Sequence, residues 1–308
     1  MRLTVLGSGA GLPSKDRNTQ SIIINCVSEY NEYILIDAGE ALQHQILHTH
    51  IKPAKIKNIF ITHLHGDHIF GLPGFLSSRA FQGGADIPLT IYGPKGLAEW
   101  LEVTFRLSES TLNYPLTIIE VEDKANYDIN GFTVTVHALD HGIESYAYFF
   151  NEHDKLGGLN KDKLLDLGIK PGPIYGHIKS SETFTFDDVT YQSKDFIGED
   201  IKGIKIAVHG DTRLINNPLY LADLYQANLI VHEATFLNNE IEKAHDYFHS
   251  ELNQVLQNFK DLNYQQLVFV HISSRYTDED IEVVKSQLPD NVFIAHDYFE
   301  LPIPRTVQ

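Results

Sequence analysis

The chain has 308 residues, 43% hydrophobic and 21% charged. That is a globular composition with ample material for a large core, and it excludes a disordered or fibrous protein. Its single cysteine, Cys26, cannot close an intrachain disulfide, so the fold owes nothing to oxidation and a reducing compartment is expected. A formal net charge of −17 gives no long-range attraction for nucleic acid, so a polyanionic substrate would need a locally positive surface or a metal site.

The opening MRLTVLGSGAG lacks the apolar core of a signal peptide. Nowhere is there an apolar run of about 18 residues that could span a bilayer. The expectation is a cytoplasmic protein that does not enter a membrane.

In chain order, short β-branched runs occur at RLTVL, SIIIN, YILID, IKNIFIT, LTIYG, FTVTVHALD, IKIAVHGD, NLIVHEA, LVFVHIS and VFIAHD, each reading as a strand. Helices are expected over roughly 40–50, 68–82, 95–108, 217–226 and 249–259, with Ser250 or His249 opening the last. The pattern is α/β and rich in strands, with no internal repeat. Residues 151–195 differ, with Gly157-Gly158, Pro171-Gly172-Pro173 and mixed charge in place of apolar periodicity. They read as an inserted arm, not a second domain.

Gly7-Ser8-Gly9-Ala10-Gly11 after the first strand, with Asp37 further on, imitates a dinucleotide-binding turn. The match fails in detail. Leu12 stands where the third glycine is required, and Pro13 interrupts the helix that should open there.

The strongest signal is IFITHLHGDH at 59–68, which delivers His63, His65, Asp67 and His68 at the end of an apolar run. Alternate residues of an extended segment point the same way, so His63 and His65 can grip one metal. Gly66 permits a turn that brings Asp67 and His68, at the start of a helix, onto a second metal beside the first. Imidazole and carboxylate suit zinc or another borderline divalent ion. One motif cannot complete two shells. Three further strand ends supply His141 from HALDHG, Asp211 from AVHGDT and His271 from VFVHIS. Ligands at like ends of different strands can converge on one rim of a sheet. Asp211 is the best bridging candidate, since two ions about 3.5–4 Å apart can share one carboxylate. His209 competes at lower rank. His232 reads as a neighbour of the site rather than a ligand, with Glu233 able to orient another imidazole. His44, His48, His50, His137, His153, His177, His245 and His296 show no such convergence and read as structural or surface residues.

THLHGDH resembles the signature of metallo-β-lactamase superfamily hydrolases. LGSGAGLPSKDRN, LIDAGEALQHQI, THLHGDHIFGLPGFLSSRAFQG, HGDT, VHEATF, YFHS and HISSRY together resemble the ribonuclease Z family of tRNA 3′-processing endonucleases over nearly the whole chain. The resemblance implies a single αββα four-layer sandwich over 1–308 with a flexible tRNA-binding arm at 151–195. It implies two zinc ions per subunit, with His63, His65 and His141 on one, Asp67, His68 and His271 on the other, and Asp211 between them. It further implies Asp67 as proton acceptor for the attacking water and His249, positioned by Glu233, as proton donor to the leaving oxygen. Pro13, Lys15, Arg17 and Asn18 match the family's PxKxRN loop near the substrate 3′ end, and Pro171-Gly172-Pro173 and Arg275 complete the expected substrate contacts. The implied partners are precursor tRNA and a second copy of the chain in a homodimer.

Five lysines in 151–182 are balanced by five acids, so a grip on RNA by the arm would depend on how the lysines are arranged. Two positions depart from the family pattern: Glu251, where threonine is common, and His209, where serine is common. The competing reading is another hydrolase on the same fold, acting on a small ester, thioester or cyclic nucleotide. A non-catalytic RNA-binding protein would be expected to have lost ligands, and all seven are present.

Overall fold

The computed structural model describes residues 1–305. They form two compact units, one of Met1–Asn151 with the chain from Lys205 onward, the other Glu152–Ile204.

The larger unit holds two seven-stranded sheets. The first runs Phe299–Pro302, Arg2–Gly7, Ser21–Asn25, Tyr33–Ile36, Ile56–Phe60, Leu89–Gly93, Leu116–Glu120. It is antiparallel up to Tyr33–Ile36 and parallel beyond. The second runs Val292–Ile294, Leu267–Val270, Leu229–Glu233, Lys205–His209, Tyr146–Glu152, Phe132–Ala138, Asn126–Ile129, with its first four strands parallel.

Strands such as YILI, LIVHE and LVFV are buried at every position, as expected where both faces of a sheet are covered. One face meets helices. Leu42, Ile46, Leu72, Phe75, Leu76, Leu97 and Leu101 close over the first sheet, and Tyr220, Leu224, Leu252, Val255, Phe259, Ile281 and Val284 over the second. The other faces meet each other through Phe60, whose ring lies 4.6 Å from Tyr92 of its own sheet and 5.0 Å from Tyr148 and Phe150 of the opposite one. The layers are therefore helix, sheet, sheet, helix, the αββα sandwich expected from the sequence.

All ten expected strands form. Leu116–Glu120, Asn126–Ile129, Tyr146–Glu152 and Phe299–Pro302 were not anticipated. Three are half-exposed strands at sheet edges, and the buried YAYFFNE contains no β-branched residue. The helix expected over 68–82 is broken into Gly66–Ile69, Leu72–Arg79 and a π turn at Ala80–Gly84. The break is at Gly71, whose amide donates to Ala38 O at 2.9 Å; a Cβ there would meet Gly39 O at 1.9 Å. The helix expected from 249 begins at Leu252 instead, capped by Glu251, whose carboxylate accepts from Gln254 N at 2.9 Å. Glu251 thus serves as the helix cap, a role that the threonine expected there would also fill as a side-chain acceptor.

The smaller unit has its own core of Leu164, Ile169, Ile178, Phe184 and Phe196. It contains helices Lys161–Asp166 and Pro173–Ser180 and a hairpin of Thr183–Phe186 with Val189–Gln192. Isolated bridges Lys155↔Ile201 and Leu159↔Ile197 zip its two ends, so the unit continues past residue 195 to Ile204. Its apolar residues are too unevenly spaced to show a helical or strand period in sequence. Among the described residues no helix is long and apolar enough to cross a membrane.

Phe60→Ala removes the ring on which the two sheets interlock and is expected to cost about 3–5 kcal/mol. The check is the denaturant midpoint of the purified variant; a shift equivalent to under about 1 kcal/mol would contradict the packing described.

Candidate metal centre

The parallel strands of both sheets end on the same rim, and the polar residues follow them immediately. Asp37 follows Tyr33–Ile36, Thr62 and His63 follow Ile56–Phe60, Asp211 follows Lys205–His209, Glu233 ends Leu229–Glu233, and His271 follows Leu267–Val270. Two cross-links hold the rims in register: Tyr148 Oη donates to Ile61 O at 2.7 Å and Tyr146 N to Thr62 O at 3.0 Å. Gly210 is required at this junction, because a Cβ would lie 2.6 Å from Thr62 Cβ.

Two groups of ligand-type side chains result, His63, His65, His141 and Asp211, and beside them Asp67, His68 and His271; Asp211, His249 and His271 form a third that overlaps both. His65 Nδ1 lies 3.1 Å from His63 Nε2 and 3.2 Å from His141 Nε2. His68 Nε2 lies 3.3 Å from His271 Nε2. Asp211 stands between the groups, with Oδ2 3.6 Å from His63 and 3.3 Å from His271, and Oδ1 3.5 Å from His68.

Four of the five imidazoles are held alike. The Nδ1–H of His68 donates to Asp37 Oδ2 at 2.8 Å, that of His141 to Phe248 O at 2.9 Å, and that of His271 to Thr235 Oγ1 at 2.8 Å. The Nδ1–H of His63 donates to Thr62 Oγ1 at 3.1 Å, a hydroxyl that itself donates to Asp37. Each tether fixes the tautomer that turns an Nε2 lone pair into the site. Asp37 also accepts from Thr62 N and Gln20 Nε2. It is a hub that the sequence showed only in the dinucleotide-like decoy and, without a role, within LIDAGEALQHQI. Thr62, Thr235 and the Phe248 carbonyl were likewise missed; only their adjacency to His63, Glu233 and His249 marked them.

Three residues around the site, Asp37, Phe248 and His271, have φ of 58°, 61° and 58°. This left-handed backbone costs about 1–3 kcal/mol per residue and is sustained by surrounding structure.

The electrostatics fit a divalent cation. Burial raises the Asp211 carboxyl, but His271, His68 and His63 outweigh it and hold the group well below its ordinary range. Asp67 behaves likewise under His68 and His271. Burial lowers His63, His65 and His141, leaving neutral imidazoles able to coordinate. Burial also lowers His68, but Asp211, Asp37 and Asp67 push it well above its usual value. Carboxylates here demand positive charge, which a metal supplies in place of a proton. Asp211 Oδ1 is buried and accepts no hydrogen bond, as a ligand oxygen would.

Next to this cluster, His249 Nδ1–H donates to Glu233 Oε1 at 3.0 Å. Burial lowers the imidazole, but Glu233 and Asp211 raise it to about 9. Glu233 further accepts from Thr212 N, Ser250 N, Thr235 N and Thr235 Oγ1, so its carboxylate is fully committed and immobile. His232 is in neither group. It donates to its neighbour's carbonyl, Glu233 O, at 2.7 Å. His209 is also outside: it is wholly buried, donates to Val231 O at 2.8 Å, and packs 4.6 Å from His232.

The 11–18 loop touches the centre through Gly11 N, which donates to Asp67 Oδ2 at 2.8 Å. Pro13 and Lys15 are exposed. Arg17 is turned inward, donating to Ser8 Oγ and Ala295 O at 2.8 and 2.6 Å, and Asn18 N is held by Asp297. These two residues brace the loop and Lys15 is presented outward. Arg275 lies over Phe236 and bonds Glu240. Pro171, Gly172 and Pro173 are exposed in the smaller unit.

The chain is similar to known proteins over nearly its whole length. Ribonuclease Z of Staphylococcus carnosus strain TM300 is 47% identical over 288 residues, 94% of each chain. Ribonuclease Z of Staphylococcus aureus strain Newman is 46% identical over 291 residues, again 94% of each. The chain belongs to the ribonuclease Z family. A crystal structure of the short form of human tRNase Z superposes with a TM-score of 0.70 at 26% identity, covering 99% of this chain and all of that one. The family model described as Anti-Pycsar protein Apyc1 matches residues 1–159, a span that includes His63 to His141 and ends before Asp211, His249 and His271. Ribonuclease Z membership therefore rests on relatives that extend across both halves of the site.

Asp37→Asn tolerates the left-handed backbone while removing the charge behind His68. It is expected to weaken divalent-metal binding about 10–100-fold, measured by competition with a chromogenic chelator. Unchanged affinity would show that Asp37 does not support the site.

Proposed function

We propose that the protein is a zinc-dependent endoribonuclease that removes the 3′ trailer from precursor tRNA. The observation that carries this reading is the juxtaposition of the two ligand groups, sharing Asp211, with the Glu233–His249 pair in a chain of the ribonuclease Z family. The seven ligands would hold two zinc ions, His63, His65 and His141 on one and Asp67, His68 and His271 on the other, with Asp211 bridging. When bound, the ions supply positive charge that activates water and offsets charge on the phosphate oxygens. Asp67, kept ionised by its imidazole neighbours, takes the proton of the attacking water. His249, fixed by Glu233, gives a proton to the leaving oxygen, which becomes the 3′-hydroxyl of the tRNA while the 5′-phosphate stays on the trailer.

Lys15, exposed on a loop bonded to Asp67, would meet a substrate phosphate. Residues 152–204 would serve as the tRNA-binding arm with Pro171, Gly172 and Pro173 near its contact surface, and Arg275 would add a further contact. Family membership also supports a homodimer and a cytoplasmic location.

Asp67→Ala should cut single-turnover cleavage of precursor tRNA by a far larger factor than it weakens tRNA binding, and chelation should abolish cleavage in the parent protein. Equal losses in rate and binding would sink the proton-acceptor role. Cleavage of a small phosphodiester alone would favour the competing hydrolase reading.

The arm can be tested separately. Asn151 and Lys205 are paired across antiparallel strands, so a two-residue turn can replace 152–204 without disturbing the sheet. The shortened chain should hydrolyse bis(p-nitrophenyl) phosphate at close to the parent rate while losing affinity for precursor tRNA. Retained tRNA affinity would contradict the arm's role.

A further inference from the structure

Arg213 belongs to none of the groups assigned above, yet it joins three of the segments that carry them. It follows Asp211 by two residues, and its amide donates to Asp140 O at 2.8 Å, next to His141. Its guanidinium sits 3.8 Å above the Phe248 ring, its Nε donates to His245 O at 2.7 Å, and Nη1 lies 3.8 Å from the Asp140 carboxylate. The His245 carbonyl also receives Phe248 N at 3.2 Å, so Arg213 completes the bonding of the turn that leads into His249.

That turn carries an internal cost. Phe248 has φ of 61°, a conformation a bulky aromatic residue adopts only under constraint. Its carbonyl is the acceptor that orients His141 Nδ1, and the next residue is His249. A cation above the ring, with a second bond to the carbonyl one turn back, is the kind of restraint that can hold it.

We infer that Arg213 is a positioning residue that clamps the Phe248 turn and thereby aims both His141 and His249. The inference rests on the reading of those two histidines given above. Arg213 stabilises a backbone rather than contacting RNA, so its loss should appear in turnover and in metal binding but not in substrate affinity.

The test compares Arg213→Met, Arg213→Lys, Phe248→Leu and the Arg213→Met/Phe248→Leu double variant, all zinc-loaded. Arg213→Met should lower kcat on precursor tRNA about 10–100-fold with KM changed by no more than about twofold, and should weaken one of the metal-binding events by a similar factor. Arg213→Lys should recover part of both, since lysine can cover the ring but lacks the fork. Phe248→Leu removes the face and keeps the carbonyl, so the double variant should be no worse than the more severe single one, within about twofold.

An effect confined to KM would make Arg213 a substrate contact and overturn the inference. Additive losses in the double variant, or unchanged kcat and metal affinity, would overturn it as well. Should Arg213→Met fail to fold, Arg213→Lys and Phe248→Leu decide the matter. The chelator titration reads out independently of the substrate, so failure to cleave precursor tRNA would count against the proposed function and leave this inference open to its own test.

Discussion

A buried carboxylate at the junction of two sheets organises the molecule. Asp211 is almost fully enclosed, ionised, and flanked by imidazoles on both sides. An ionised group in such a place is tolerated only if opposite charge or hydrogen bonds reach it. One of its oxygens accepts no hydrogen bond, and that oxygen lies 3.5 Å from His68 Nε2, where the second ligand group gathers. The two sheets, the cross-links between their rims and the close approach at Gly210 bring this carboxylate to a position where a divalent cation relieves it.

The cost of that arrangement is distributed around the site. Left-handed backbone at Asp37, Phe248 and His271 turns each segment sharply at the end of its element. Two of the three then support a candidate ligand, and the third is one. Asp37 orients His68, the Phe248 carbonyl orients His141, and His271 enters the site itself. Tethers at Nδ1 leave these imidazoles with one orientation and one tautomer, which is what a metal centre or a proton transfer requires. Glu233, with every oxygen committed to hydrogen bonds, does the same for His249. The clamp formed by Arg213 over Phe248 extends the pattern one layer outward.

The smaller unit shows a different economy. It has few buried side chains, its own hairpin and a pair of bridges closing its base, and it emerges between two strands that would pair without it. The pairing of those two strands does not depend on the segment between them.

The sequence by itself marked the candidate ligands. HLHGDH places four metal-binding groups within six positions, and HALDHG, HGDT and VFVHIS end strands whose apolar character is unmistakable, so the chemistry was legible as local spacing. It also determined most strands and the layer type, since buried β-branched runs have one stable solution between helices. Only the tertiary structure decided what stands behind the ligands. Asp37, Thr62, Thr235 and Arg213 act through neighbours distant in sequence, and such pairings leave no local period to read. The same holds for His209, whose closeness to Asp211 suggested a role at the site. Its side chain is carried into the core instead, where it donates to Val231 O and packs against His232. Arg17 was matched to a phosphate contact by its motif, yet the fold turns its guanidinium inward against Ser8 and Ala295. A side chain's partners are set by the surface that folds against it, and that surface comes from elsewhere in the chain.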